Sequence, residues 1–223
     1  MTLFKIISRF YRSLREPVSG LTHLAGALFS IFGLVLLIHR GLMADSGIVL
    51  SALAIFGITL ILLYTASSLY HLLPLSENGV RLLRKFDHMM IYVLIAGTYT
   101  PISLIILDGL FGWSLFIVMW SLTAIGIVFK IFWFQAPKWI SLVMYIGMGW
   151  LGLLAFPTLM DNLPLAALIW ILMGGLAYTV GAVIYGLKKP DPFPRVFGFH
   201  EIWHLFVMAG SFCHFWVIYA YVA

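Results

Sequence analysis

Two histidines four residues apart, His200 and His204, enclose Glu201 in the stretch FHEIWHLF (residues 199–206). On a helix, imidazoles at i and i+4 share one face about 5–6 Å apart, a separation that suits a tetrahedral zinc ion. The same spacing is the H-E-x-x-H pattern in which the glutamate serves as general base of a zinc protease. A third histidine, His71, follows Ser67 by one helical turn in SSLYH, and Asp87 and His88 stand side by side in KFDHMM. Three imidazole nitrogens with a fourth position open for water are the arrangement of catalytic zinc. In such a site His71, His200 and His204 are the ligands, Asp87 is the carboxylate beside them, and the Ser67 hydroxyl points into the same cavity. Whether these residues meet depends on the helices that carry them.

Those helices belong in a membrane. Hydrophobic residues make up 63% of the 223 positions and charged residues only 9%, with a mean hydropathy of +1.07, far from the composition of a soluble domain. Seven apolar stretches are long enough to cross ~30 Å of hydrocarbon as helices. They fall at about 18–38, 48–73, 88–107, 111–133, 139–160, 163–187 and 199–221, separated by turn-forming runs such as HRGLMADSG, PLSENGVRLLRK and KKPDPFPR. The expected architecture is all-α, one seven-helix transmembrane bundle over residues 1–223. Of the thirteen lysines and arginines, all but Arg40 fall in the N-terminal segment or in alternate loops, on one side of the membrane. Positive residues are retained on the cytoplasmic side, which predicts a cytoplasmic N-terminus and an external C-terminus. The net charge of +5 is this collar, suited to anionic lipid headgroups, and nothing points to nucleic acid. Residues 1–16 interleave Phe4, Ile7, Tyr11 and Leu14 with basic residues and read as an interfacial segment. Cys213, the only cysteine, reads as a packing residue.

An ionisable group inside hydrocarbon pairs, ligates or lines a cavity. With this topology, Ser67 and His71 at the end of helix 2, Asp87 and His88 in the first turn of helix 3, His200 and His204 in the first turns of helix 7, and Glu16 and His23 at the start of helix 1 all lie at the cytoplasmic level. The convergence favours a metal site over hydrogen-bonded packing histidines. Glu16, His23 and Glu201 are candidate surrounding residues, although Glu16 also reads as a helix cap, His23 as an interhelical hydrogen-bonding group, and Glu201 as a residue facing headgroups or solvent. His88 is expected at the interface and His214 in a packing hydrogen bond, while His39 belongs to the outer end. Asp108, in an L-D-G sequence resembling the ligand motif of intramembrane proteases, falls at the outer end and before the H-E-x-x-H rather than after it, which argues against a protease. Glycines 147, 149 and 152 with 174, 175 and 181 read as close-packing surfaces of helices 5 and 6. Pro101 and Pro157 are expected to kink helices 3 and 5, and Trp113, Trp133, Trp139 and Trp203 to anchor helix ends at the interface.

Four blocks, EPVSGLTHLAG (16–26), SSLYHLLP (67–74), KFDHMMIYVLIAGTYTP (85–101) and HEIWHLFVMAGSFCHFW (200–216), resemble the hemolysin III family in order and across nearly the whole chain. That family belongs with the progestin and adipoQ receptors and, more distantly, the alkaline ceramidases. The resemblance implies a zinc ion held by His71, His200 and His204 with Asp87 and Ser67 beside it, and Glu201 as a bystander. It implies a multi-pass protein of the bacterial inner membrane, with membrane lipids as substrate or ligand. The function expected from it is zinc-dependent hydrolysis of a lipid amide or ester. A non-enzymatic regulator of membrane lipid homeostasis with structural zinc is the alternative. A pore-forming cytolysin has little support, because no continuous polar stripe crosses the membrane.

Overall fold

A computed structural model describes residues 14–107, 109–194 and 196–223. Most of the proposed interfacial segment, together with Asp108 and Arg195, therefore lies outside the described residues. Seven helices are long and apolar enough to span a membrane: α1 Pro17–Met43, α2 Gly47–Leu72, α3 Glu77–Ile106, α4 Gly109–Phe132, α5 Lys138–Asn162, α6 Leu165–Leu187 and α7 Phe199–Val222. Their outward faces carry Leu28, Phe29, Phe32, Leu110, Phe132 and Leu154, all exposed, which in water would be an aggregation liability and in hydrocarbon is the solvated surface. The chain is a multi-pass membrane protein.

The helices start and stop where local chemistry dictates. Pro17, with its fixed φ and missing N–H, occupies the first position of α1, where no intrahelical donor is needed. Ser46 and Ser76 accept hydrogen bonds from the backbone N–H of Val49 and Gly79, capping α2 and α3. The second cap moves a boundary. α3 begins at Glu77, about three turns before the apolar run at residue 88, because ENGVRLLRKF is a well-capped polar helix that hydropathy does not register. Asp87 and His88 consequently sit in the third turn of α3, well inside the helix.

Prolines shape two spans. Pro101 cannot donate to the carbonyl of Gly97, and the α-geometry of α3 ends there, giving way to a π-helical turn over Ile102–Ile106. In α5 the α-helix Lys138–Trp150 passes through a 3₁₀ turn, Leu151–Ala155, into the short helix Phe156–Asn162, whose second residue is Pro157.

α3 is the central helix, packed between α2 and α4, while α1 lies along α2 and α6 along α7. Close approach of α2 and α3 requires Gly97: a Cβ there would stand 2.1 Å from the Thr59 hydroxyl. Of the glycines of α5, Gly152 does pack closely, where a Cβ would stand 3.0 Å from the Tyr99 hydroxyl. A Cβ on Gly147 or Gly149, or on Gly175 of α6, would meet no atom within 4 Å, so the close-packing role expected of these three is corrected. Gly174 and Gly181 on α6 do pack closely, against His214 and Trp203. Trp113, Trp133 and Trp139 are exposed at or beside helix ends, as interface anchors are, but Trp203 is half-buried, lines the cavity and stands 5.8 Å from the Tyr185 ring, which removes it from that set. Cys213 is buried and unbridged.

Candidate metal centre

His71 is the penultimate residue of α2, and His200 and His204 occupy the first two turns of α7. Packing of α1 against both helices closes the triangle: the ring centroids of His71, His200 and His204 lie 4.7, 4.9 and 5.0 Å apart. One nitrogen from each falls within 4.8 Å of the other two, and Nε2 of His71 is 3.3 Å from Nε2 of His200. Tetrahedral zinc with Zn–N bonds of about 2.0–2.1 Å places neighbouring ligand nitrogens roughly 3.3–3.4 Å apart. The His71–His200 pair matches this separation, and with His204 the three imidazoles form a group that could hold a metal.

The second ring nitrogens of His71 and His204 are occupied in the way metal-binding histidines require. Nδ1 of His71 is hydrogen-bonded to the Glu16 carboxylate. Nδ1–H of His204 donates to the Ser19 carbonyl at 3.2 Å. Each bond selects the tautomer that leaves Nε2 free and fixes the ring plane. Burial of the Glu16 carboxyl acts to raise its pKa, but the hydrogen bond with His71 and the charge of Arg15 hold it below the ordinary value. It remains an ionised acceptor. Its position is secured by its own backbone N–H, which donates to the His71 carbonyl at 2.9 Å, and by Arg15, 3.4 Å from its other oxygen and stacked over Tyr70.

Glu16→Gln is accordingly expected to weaken metal binding by about 10–100-fold, the usual loss when the carboxylate behind a ligating histidine is removed. Competition against a graded series of chelators measures this; an unchanged affinity would show that Glu16 has no part in orienting His71.

The other predicted residues distribute as follows. Ser67, 2% exposed, and Asp87 line the same cavity as His200 and His204. His23 is buried, stacks on His204 at 3.6 Å between centroids, and has no hydrogen-bond partner on either nitrogen among the described residues. Glu201 does not line the cavity: Ser19 Oγ donates to one carboxylate oxygen at 2.6 Å, and the Gly198 N–H donates to the other at 2.8 Å. It caps α7 and ties it to α1, an arrangement in which it is turned away from a general base's task. His88 lines the cavity instead of the interface, because α3 begins earlier than its hydropathy indicates. His214 lies farther along α7, stacked on Tyr178 at 5.6 Å, and its Nδ1 lacks the expected packing hydrogen bond. His39 is exposed on α1, remote in sequence from the cluster.

Ser19 went unrecognised as a site residue. It serves His204 through its carbonyl and Glu201 through its hydroxyl, and is fully buried. The available signal was the spacing Glu16, Ser19, Gly20, His23, one face of a helix at i, i+3, i+4 and i+7.

The cavity runs from Asp87, His200 and His204 past Leu94, Thr98 and Tyr178 to Tyr99, Leu115 and Leu159, a mostly apolar space of about 230 Å³. It reaches deep into the bundle, along α3 and the irregular middle of α5. Such a shape accommodates a chain molecule with its polar end near the imidazoles.

The model of the family described as "Haemolysin-III related" matches residues 11–215, a range that holds every ligand candidate. The chain is 38% identical over 207 residues to the protein named Hemolysin-3 of Bacillus cereus, covering 93% of this chain and 91% of that one. It is 39% identical over 206 residues to the Hemolysin-3 homolog of Bacillus subtilis (strain 168), covering 92% and 93%. Human monocyte to macrophage differentiation factor is 28% identical over 173 residues, 75% of this chain and 69% of that protein. With its seven apolar helices and a family match over most of its length, this chain belongs to the haemolysin III family.

Proposed function

We propose that the protein is a zinc-dependent hydrolase of lipid amide or ester bonds, acting at the cytoplasmic face of a bacterial inner membrane. The observation that carries this reading is a three-imidazole cluster of which His200 and His204 line a long apolar cavity that Asp87 and Ser67 also line. A purely structural metal site is closed, whereas a catalytic one borders a space for substrate.

His71, His200 and His204 would hold the ion. When bound, zinc supplies Lewis acidity to a carbonyl and acidifies water towards pKa ~7. The chain's own groups do the rest. The cavity wall takes the acyl chain and excludes bulk water. Asp87 accepts a proton from the attacking water and returns it to the departing nitrogen or oxygen. The Ser67 hydroxyl donates a hydrogen bond to the carbonyl oxygen as negative charge develops there. His23, stacked on His204 with unpartnered nitrogens, is placed to bind a polar atom of the substrate or a water.

Release of fatty acid from a panel of amide- and ester-linked lipids in liposomes tests the proposal, with Asp87→Asn as the inactive reference. A second reading draws on the fact that the cluster joins α2 to α7 while Ser19 of α1 braces it: zinc as a structural clamp in a regulator of membrane lipid homeostasis. In that case Asp87→Asn leaves the cellular phenotype intact.

A further inference from the structure

At the end of the cavity that holds Asp87, a second set of polar residues converges from α3, α4 and α5: Arg84, His88, Lys130, Lys138 and Ser141, all cavity-lining. Lys130 is the unusual member. It lies at the C-terminal end of α4, is only 5% exposed, and its ammonium donates to Ser141 Oγ at 2.5 Å. Burying an ammonium is unfavourable unless a counter-charge meets it. Among the described residues none does: no aspartate or glutamate oxygen comes within 4.0 Å of Lys130, Arg84 or Lys138. Asp87, one turn along α3 from Arg84, makes no ion pair with it.

The cations are nevertheless crowded. Arg84, Lys85 and Lys130 stand 5.6, 5.6 and 5.9 Å from the centre of the Phe134 ring, and Lys138 stands 5.5 Å from that of Tyr185. Lys85 is directed to the Ile131 carbonyl at the end of α4 and does not line the cavity. Beside the other three, Nδ1 of His88 is buried without a hydrogen-bond partner. Buried Lys130, half-buried Arg84 and exposed Lys138, none in an ion pair among the described residues, stand with a buried hydroxyl and an orphaned imidazole nitrogen around one end of a cavity, a donor set suited to an oxyanion. A carboxylate brings one charge. A phosphate brings up to two, with three or four acceptor oxygens, and matches this donor set better.

We propose that Lys130, Ser141, Arg84, Lys138 and His88 form a binding site for the phosphate of an anionic lipid headgroup, separate from the histidine cluster and sharing its cavity. The apolar continuation of that cavity takes the lipid's chain, which makes a tethered phosphate the fitting occupant instead of a free one. The proposal extends the hydrolase reading by naming the substrate's headgroup. It rests on that reading for what happens to the lipid, and not for its binding.

Binding of dioleoyl phosphatidic acid and of dioleoylglycerol to the intact protein in detergent, read by native mass spectrometry, tests it. The expected result is at least tenfold preference for phosphatidic acid. In Lys130→Met and in Arg84→Gln the preference falls to near unity while metal content stays that of the unsubstituted protein, since neither residue touches His71, His200 or His204. Equal binding of the two lipids by the unsubstituted protein, or an undiminished preference in both variants, overturns the proposal. Displacement of phosphatidic acid by inorganic phosphate at matching concentrations also overturns it, by placing a soluble phosphate in the site. Headgroup preference without any lipid turnover would remove the hydrolase reading alone; turnover without preference would remove only the phosphate site.

Discussion

His204→Ala is expected to strip the metal from the purified protein, lowering zinc affinity by more than about 100-fold. Even removing a group that merely orients a ligand costs 10–100-fold, and this substitution removes a ligand itself. His204 is 2% exposed, and its loss leaves only His71 and His200 to bind. Two nitrogens without the third cannot complete the tetrahedral set of a protein zinc site. Elemental analysis after passage over a chelating resin reads the result. His39→Ala, on an exposed position of α1, retains the metal and controls for handling. Because the alanine also removes the stacking partner of His23, thermal unfolding in detergent is followed in parallel; a folded His204→Ala protein with undiminished zinc would place the metal elsewhere.

Asp87→Asn is the second large effect. It is expected to lower lipid hydrolysis by about 10²–10⁴-fold, the usual contribution of a positioned acid–base group, with zinc content unchanged. Asparagine preserves the size of the side chain and can still hydrogen-bond, but it cannot take a proton from water. The separation of the two variants matters: His204→Ala loses metal and activity together, whereas Asp87→Asn loses only activity. Full turnover by Asp87→Asn would remove Asp87 from the chemistry and leave the proton to another cavity residue, with His23 the nearest unpartnered base to His204.

Much of this arrangement was legible in the sequence because two simple periodicities carry it. Apolar runs of about twenty residues mark the spans, and the i, i+4 spacings of Ser67/His71 and His200/His204 put each pair on one helix face. Turning those helices towards a common point needs contacts that a single sequence does not display. Glu201 shows the difficulty: two residue spacings describe a protease motif, yet rotation about α7 sends its carboxylate to Ser19 and Gly198. The start of α3 was misplaced for a different reason. Hydropathy reports where a helix meets hydrocarbon, while the helix itself begins where Ser76 caps it, at Glu77, about three turns before the apolar run at residue 88. Gly147 and Gly149 are indistinguishable in the sequence from Gly152, which does pack closely, because small residues serve both close contact and open space and only the fold decides between them. Lys130 escaped notice among the basic residues of the collar, since nothing in its neighbours reveals that its ammonium is turned inward onto Ser141.

The most direct test is X-ray absorption at the zinc edge on the unsubstituted protein, purified without added metal and then loaded to one equivalent. The expected result is a first shell of low coordination number with three imidazole nitrogens at about 2.0–2.1 Å and an additional light-atom ligand. A protein that takes up no zinc, or a shell without the imidazole scattering pattern, would contradict it.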